Sequence, residues 1–130
     1  MDSHELAWAA GFFDGEGNIR IKANRQHERP YLYPAIFIPQ IDRQVLDRFQ
    51  QAVAVGKVTG PHSRRRYGAT RKDQWYFEAY GLERCQAIIA LLWRWLSPVK
   101  HDQARAVLTA YAEARRAQPV KVLRPPRPRA

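Results

Sequence analysis

The sequence predicts an α+β domain, an antiparallel four-stranded sheet with helices on one face, in the order α-β-β-α-β-β-α-α. Three observations carry that expectation. Four segments repeat apolar residues at helical spacing, and two pairs of segments alternate in period two. Along the strands, one parity is apolar and the other collects basic, amide and aromatic residues, as in a sheet covered on one side only. The chain has 130 residues, enough for one domain and one core. The folded unit is placed at residues 1–117. Residues 118–130 form a Pro- and Arg-rich tail that is expected to be flexible or extended.

The first helix covers residues 3–14, with Leu6, Ala9, Ala10 and Phe13 as its apolar stripe and Asp2 and Glu5 at capping-box spacing. Gly15 and Gly17 are expected to end it. Residues 18–24 alternate as a strand, Ile19, Ile21 and Ala23 inward and Asn18, Arg20, Lys22 and Asn24 outward. A polar turn containing Gln26 leads to a strand at 31–40. Its Pro34 and Pro39 donate no ladder hydrogen bonds, which predicts a sheet edge. A helix follows at 42–54, with Asp42 as N-cap and Gly56 as its C-terminal signal. Strands at 57–66 and 71–80 flank a connection rich in arginine and lysine. The strongly apolar segment 82–96 reads as a third helix stopped by Pro98, and 100–116 as a fourth.

Lys and Arg number 22 against 12 Asp and Glu, a formal net charge of +10. A polyanion is the expected partner, nucleic acid first; a solvated, ribosome-associated or membrane-surface protein would share this composition. The single cysteine, Cys85, excludes an internal disulfide and a Cys-based zinc site, and its apolar surroundings make it a small core residue. His4, His27, His62 and His101 make no ligand pair at helical spacing. No apolar run reaches bilayer length and no signal peptide is evident, so a soluble, cytoplasmic, DNA-associated protein is expected, with no membrane and no small-molecule substrate. Trp75, Trp93 and Trp95 lie in apolar patterns and read as core; Trp8 reads as core or interface.

The outward parity gathers Arg20, Lys22, Asn24, Tyr31, Tyr33, Phe37, Gln74 and Tyr76 on one sheet face, side-chain types that contact phosphates and base edges. Gln26 is assigned to the same surface. Arg64, Arg65, Arg66, Arg71 and Lys72 are expected to grip backbone phosphates from their loop.

The stretch AAGFFDGEG, residues 9–17, resembles the LAGLIDADG motif of homing endonucleases. Ala10, Gly11, Asp14 and Gly17 match identically, and Phe12, Phe13 and Glu16 match by type. Ala9 departs from the family's leucine, and Gly15 is a tolerated variant. Gln40 at the end of the second strand and Lys100 after the third helix fall where the family places a glutamine and a basic catalytic residue. The likeness covers roughly residues 4–111. It implies a site-specific, divalent-metal-dependent double-strand DNA endonuclease of the kind that mobilises introns or inteins. Glu16 would be the metal ligand, assisted by a backbone carbonyl near Gly15. Gln40 would position a water, and Lys100 would stabilise phosphate charge. Mg2+ is the expected ion, with Mn2+ or Ca2+ able to take its place. Asp14 would organise the junction.

The motif occurs once, and single-motif members act as homodimers on pseudo-palindromic sites, two sheet faces forming a saddle. Ala7, Gly11 and Gly15 share a helix face small enough for two backbones to approach, and Phe12 is assigned to the same interface. Plain alternatives stand beside these roles: a solvated turn residue for Glu16, a strand-end amide bonded to a loop for Gln40, a surface lysine for Lys100. At the level of the whole protein, the alternative is a catalytically inactive DNA-binding protein or RNA-splicing maturase of the same fold.

Overall fold

The computed structural model describes residues 2–25 and 31–117. The elements run α1 (Ser3–Glu16), β1 (Asn18–Asn24), β2 (Tyr31–Gln40), α2 (Arg43–Val53), β3 (Lys57–His62), β4 (Gln74–Tyr80), α3 (Leu82–Leu92) and α4 (Pro98–Ala117). The four strands form one antiparallel sheet in the order β1-β2-β4-β3. Gln26 and the tail at 118–130 lie outside the described residues.

The helices cover one face of that sheet and the core lies between. Phe13 of α1, Phe49 of α2 and Phe77 of β4 are fully buried there, with Ile36 and Ile38 of β2, Ile88 and Leu92 of α3, and Ala104 of α4. Phe49 meets Phe77 edge-on, ring centroids 4.8 Å apart. Cys85 is buried too; its Sγ donates to the Ala79 carbonyl, and burial pushes its thiol up to about 11, so it stays protonated and unreactive. Trp75, Trp93 and Trp95 are partly buried against this core.

β2 is a central strand, not the edge its prolines predict. Each proline sits where one neighbour is missing. Beside Pro34, Gly81 lies just past the end of β4: its N–H donates to the Pro34 carbonyl at 2.9 Å, while its own carbonyl accepts from Cys85 N. No β4 carbonyl therefore waits for the N–H that Pro34 lacks. By the alternation of an antiparallel ladder, Pro39 faces the β1 side, where pairing has already ended at Asn18↔Phe37.

Other boundaries shift for similarly local reasons. α1 continues through Gly15 to Glu16, and the extended C-cap is Gly17, at φ −85°. Gly17 is required by space: an added Cβ would sit 2.3 Å from the Phe13 ring. The left-handed residue closing α2 is Ala54, φ 59°, two positions before Gly56. β3 stops at His62 and β4 starts at Gln74, with a 3₁₀ turn at Arg65–Tyr67 between them. The third helix breaks into a 3₁₀ turn at Trp93–Trp95, and α4 begins at Pro98, a residue suited to the first helical position because its N–H would have no acceptor. Ala23 is exposed and Leu32 is 37% exposed, so the inward parity of the β1–β2 pair is not buried at its far end.

Candidate active site and nucleic-acid interface

Four elements converge where α1 hands over to β1. Glu16, the last residue of α1, is exposed, and its Oε2 accepts from Gln40 Nε2 at 3.2 Å. Gln40 ends β2, so the β1–β2 pairing carries its amide to the helix terminus. Asp14, two residues back and half-buried, accepts from the backbone N–H of Ser97 at 3.1 Å on both carboxylate oxygens and from its hydroxyl at 3.1 Å. Ser97 in turn accepts from Lys100 N at 3.3 Å, an N-cap bond that starts α4. Lys100 is no surface lysine. It is 8% exposed; its Nζ donates to the Gly17 carbonyl at 2.6 Å and to Gln103 Oε1 at 3.2 Å, and lies 5.4 Å from the Phe13 ring centroid. The start of α4 is a poor place for a cation, but this side chain reaches across to the C-terminal end of α1, where the helix dipole favours positive charge. Among the described residues Lys100 is the only buried charged group, and no buried side-chain N or O atom lacks a partner.

The sheet's other face lies open. Arg20, Lys22 and Asn24 of β1 stand beside Ala35, Tyr33 and Tyr31 of β2, and Phe37 stands beside Asn18. Tyr76 follows on β4, with Gln74 next to it in parity and opposite His62. Asn24 Nδ2 donates to Tyr31 Oη at 3.0 Å. Arg64, Arg65, Arg66, Arg71 and Lys72 sit in and around the 3₁₀ turn between β3 and β4, all but half-buried Arg64 exposed. Arg64 and Arg66 both lie over the Tyr67 ring, at 5.2 and 4.8 Å. The outer side of α1 is also uncovered: an added Cβ at Gly11 or Gly15 would meet nothing within 4 Å. Phe12 turns away from that stripe, stacked on Trp8 at 5.4 Å and against Phe49 at 5.8 Å.

No protein-family profile matches the sequence, and no curated protein does. Solved structures do match. The homing endonuclease I-CvuI, in complex with its target in the presence of Ca, superposes with a TM-score of 0.68 at 20% identity, over 89% of this chain and 73% of that one. The group I intron-encoded homing endonuclease I-CeuI, complexed with DNA, gives 0.68 at 14% identity, over 90% and 59%. The homing endonuclease I-TnaI gives 0.65 at 19%, over 86% and 74%.

This chain has the LAGLIDADG homing-endonuclease fold.

Within the LAGLIDADG fold, the motif supplies the helix-to-strand junction and the two strand pairs supply the open face. The donor set at the junction decides which divalent ion fits. Among the described residues no three His, Cys, Asp or Glu side chains gather, which does not suit a closed zinc site. One exposed carboxylate at a helix C-terminus suits Mg2+ or Ca2+, which take few protein oxygens and fill the rest with water and phosphate. Gly15 lies in the last turn of α1, where carbonyls lack intrahelical partners.

Several residues on these surfaces carry weaker signals in the sequence. Glu78 and Tyr80 share parity with Gln74 and Tyr76, so the alternation of β4 places them on the open face. Burial first, then a hydrogen bond with Glu78, pushes the Tyr80 hydroxyl up to about 12. Ser97, preceding Pro98, has the pattern of an N-cap. Gln103, which holds Lys100, carries no signal, because an exposed glutamine on a helix is unremarkable by pattern. Ile41, 57% exposed, and Val99, 65% exposed, are the chain neighbours of Gln40 and Lys100.

Proposed function

We propose that this protein is a site-specific double-strand DNA endonuclease, working as a homodimer on a pseudo-palindromic site and requiring Mg2+ or a similar divalent ion. One observation carries the reading: on a homing-endonuclease fold, an exposed Glu16 carboxylate at the end of α1 is held by Gln40, and the carbonyl of the next residue, Gly17, takes the buried Lys100 ammonium. Glu16 and the Gly15 carbonyl would hold the metal, which when bound activates water and neutralises phosphate charge. Gln40 fixes the orientation of the carboxylate and can also hold a water beside it. Lys100, through Gly17, keeps the helix end in place and adds positive potential where negative charge develops on phosphate.

One carboxylate per chain is half of what two scissile strands need. The bare Gly11 and Gly15 surface and exposed Ile41 and Val99 support pairing about a twofold axis that would bring two such corners together. The open face and the arginines of the β3–β4 loop would then flank one continuous duplex, with a net charge of +10 drawing it in. Among the described residues no helix is long and apolar enough to cross a membrane.

Cleavage selection from a plasmid library in Mg2+ or Mn2+, run beside Glu16→Gln, tests the reading. Wild type should linearise a subset of sequences, and the variant should lose more than about 100-fold in rate while still binding. A wild type that binds selected duplexes but cuts none is instead the inactive DNA binder or maturase.

A further inference from the structure

Among the polar and basic residues of the open sheet face sits an aromatic pair. On β2 and β4, Phe37 and Tyr76 pack side by side with ring centroids 4.8 Å apart, tilted 59°. One face of each is already covered. The Arg20 guanidinium lies 5.7 Å over Phe37, and the His62 ring stacks on Tyr76 at 4.0 Å and 12°. Further along, Lys22 lies 5.5 Å over Tyr80. Unpaired bases bind aromatic sheets by stacking on open ring faces. With one face of each ring taken and both residues half-buried, the pair presents a compact apolar surface to a groove laid over it. Phe37 has no polar side-chain atom and can read a base pair only by apolar contact. In the major groove the one apolar group is the 5-methyl of thymine.

We propose, resting on the double-strand DNA reading above, that Phe37, backed by Tyr76, reads a thymine methyl in each half-site and so determines specificity. The neighbouring groups remain compatible with this contact. Arg20 lies over one face of Phe37 and His62 over one face of Tyr76, which leaves the remainder of each ring for a methyl group. His62 is itself fixed by Thr59 Oγ1, 3.0 Å from its Nε2, and Glu78 stands opposite Phe37 across the β2–β4 pair, so the apolar contact is bordered by an acid.

The test selects duplexes from a random pool with the full chain, Ca2+ replacing Mg2+, and reads the enriched bases. Symmetric thymine columns should appear. Replacing that thymine by uracil deletes the methyl and keeps every hydrogen-bonding group; affinity should fall about 4-fold at this position alone, the worth of one buried methyl. Phe37→Ala should abolish the uracil effect. Phe37→Gln, which keeps a long side chain on the strand, should move the preference toward adenine. Sequence-selective binding or cleavage without a thymine column, or a uracil penalty that survives Phe37→Ala, would overturn this inference and leave the endonuclease reading standing. A wild type that binds every duplex equally would overturn both.

Discussion

At the end of α1 the polar side chains are tied to residues far away in sequence, whereas between β3 and β4 the arginines pack on Tyr67 of their own loop. Asp14 bonds Ser97 and Lys100 bonds Gly17, each pair separated by 83 positions. Arg64 and Arg66 lie over a ring no more than a few residues away. The contrast matches the tasks proposed for them. A group that must meet one phosphate oxygen at one angle has to be fixed before the substrate arrives. A group that neutralises phosphates along a duplex needs charge and reach, and tolerates loose placement.

Breaking the corner should therefore cost stability, and breaking the loop should not. Asp14→Ala removes a charged acceptor and leaves the half-buried Ser97 N–H without a partner, so we expect a drop of about 3 kcal/mol in chemical denaturation. An unchanged midpoint would show that the two regions are not built differently. Neutralising Arg64, Arg65 and Arg66 should leave that midpoint in place. DNA affinity should fall on every sequence alike, and the slope of log affinity against log salt should become shallower by about 0.9 for each phosphate no longer neutralised. A change in base preference would mean that the loop reads sequence.

Gly11→Ala tests the bare flank of α1 against its tied end. The added methyl meets open space in one chain, so the monomer should gain up to about 1 kcal/mol from helix propensity. Sedimentation should show weaker pairing if two α1 helices approach there, and unaltered pairing would place the interface elsewhere. The smallest effect belongs to the opposite end of α1. The Arg48 guanidinium, bonded to Glu5 at 2.8 and 3.0 Å, holds that carboxyl below its ordinary value of 4.5. A lowered value in the fold means the contribution is present above 4.5 and disappears as pH falls through the folded value. The pair is solvent-exposed, so Glu5→Gln should flatten the acid limb of thermal stability only slightly.

Local pattern carries most of the fold, because burial on one face imposes period two on strands and 3.6 on helices. Ile19, Ile36 and Phe77 lie on the inner side as alternation requires, and Leu6, Ala9, Ala10 and Phe13 are the buried stripe of α1. Pro34 misleads because strand order is a long-range property: whether a missing N–H matters depends on what lies opposite, and Gly81 is not visible from residue 34. The same holds at the site. Resemblance points to Glu16, Gln40 and Lys100, but that Gln40 bonds Glu16 and that Lys100 points inward to Gly17 follow from packing between distant segments. Phe12, grouped with the glycines by its neighbours in sequence, faces α2 because position 12 falls on the other side of the helix.

The 83-residue span between Gly17 and Lys100 bears on how such a protein is made. During synthesis the amino end leaves the ribosome carrying Glu16 long before Ser97 and Lys100 exist. Until they arrive, nothing anchors Asp14 or the Gly17 carbonyl. A nascent or truncated chain thus bears the acid without the frame that aims it.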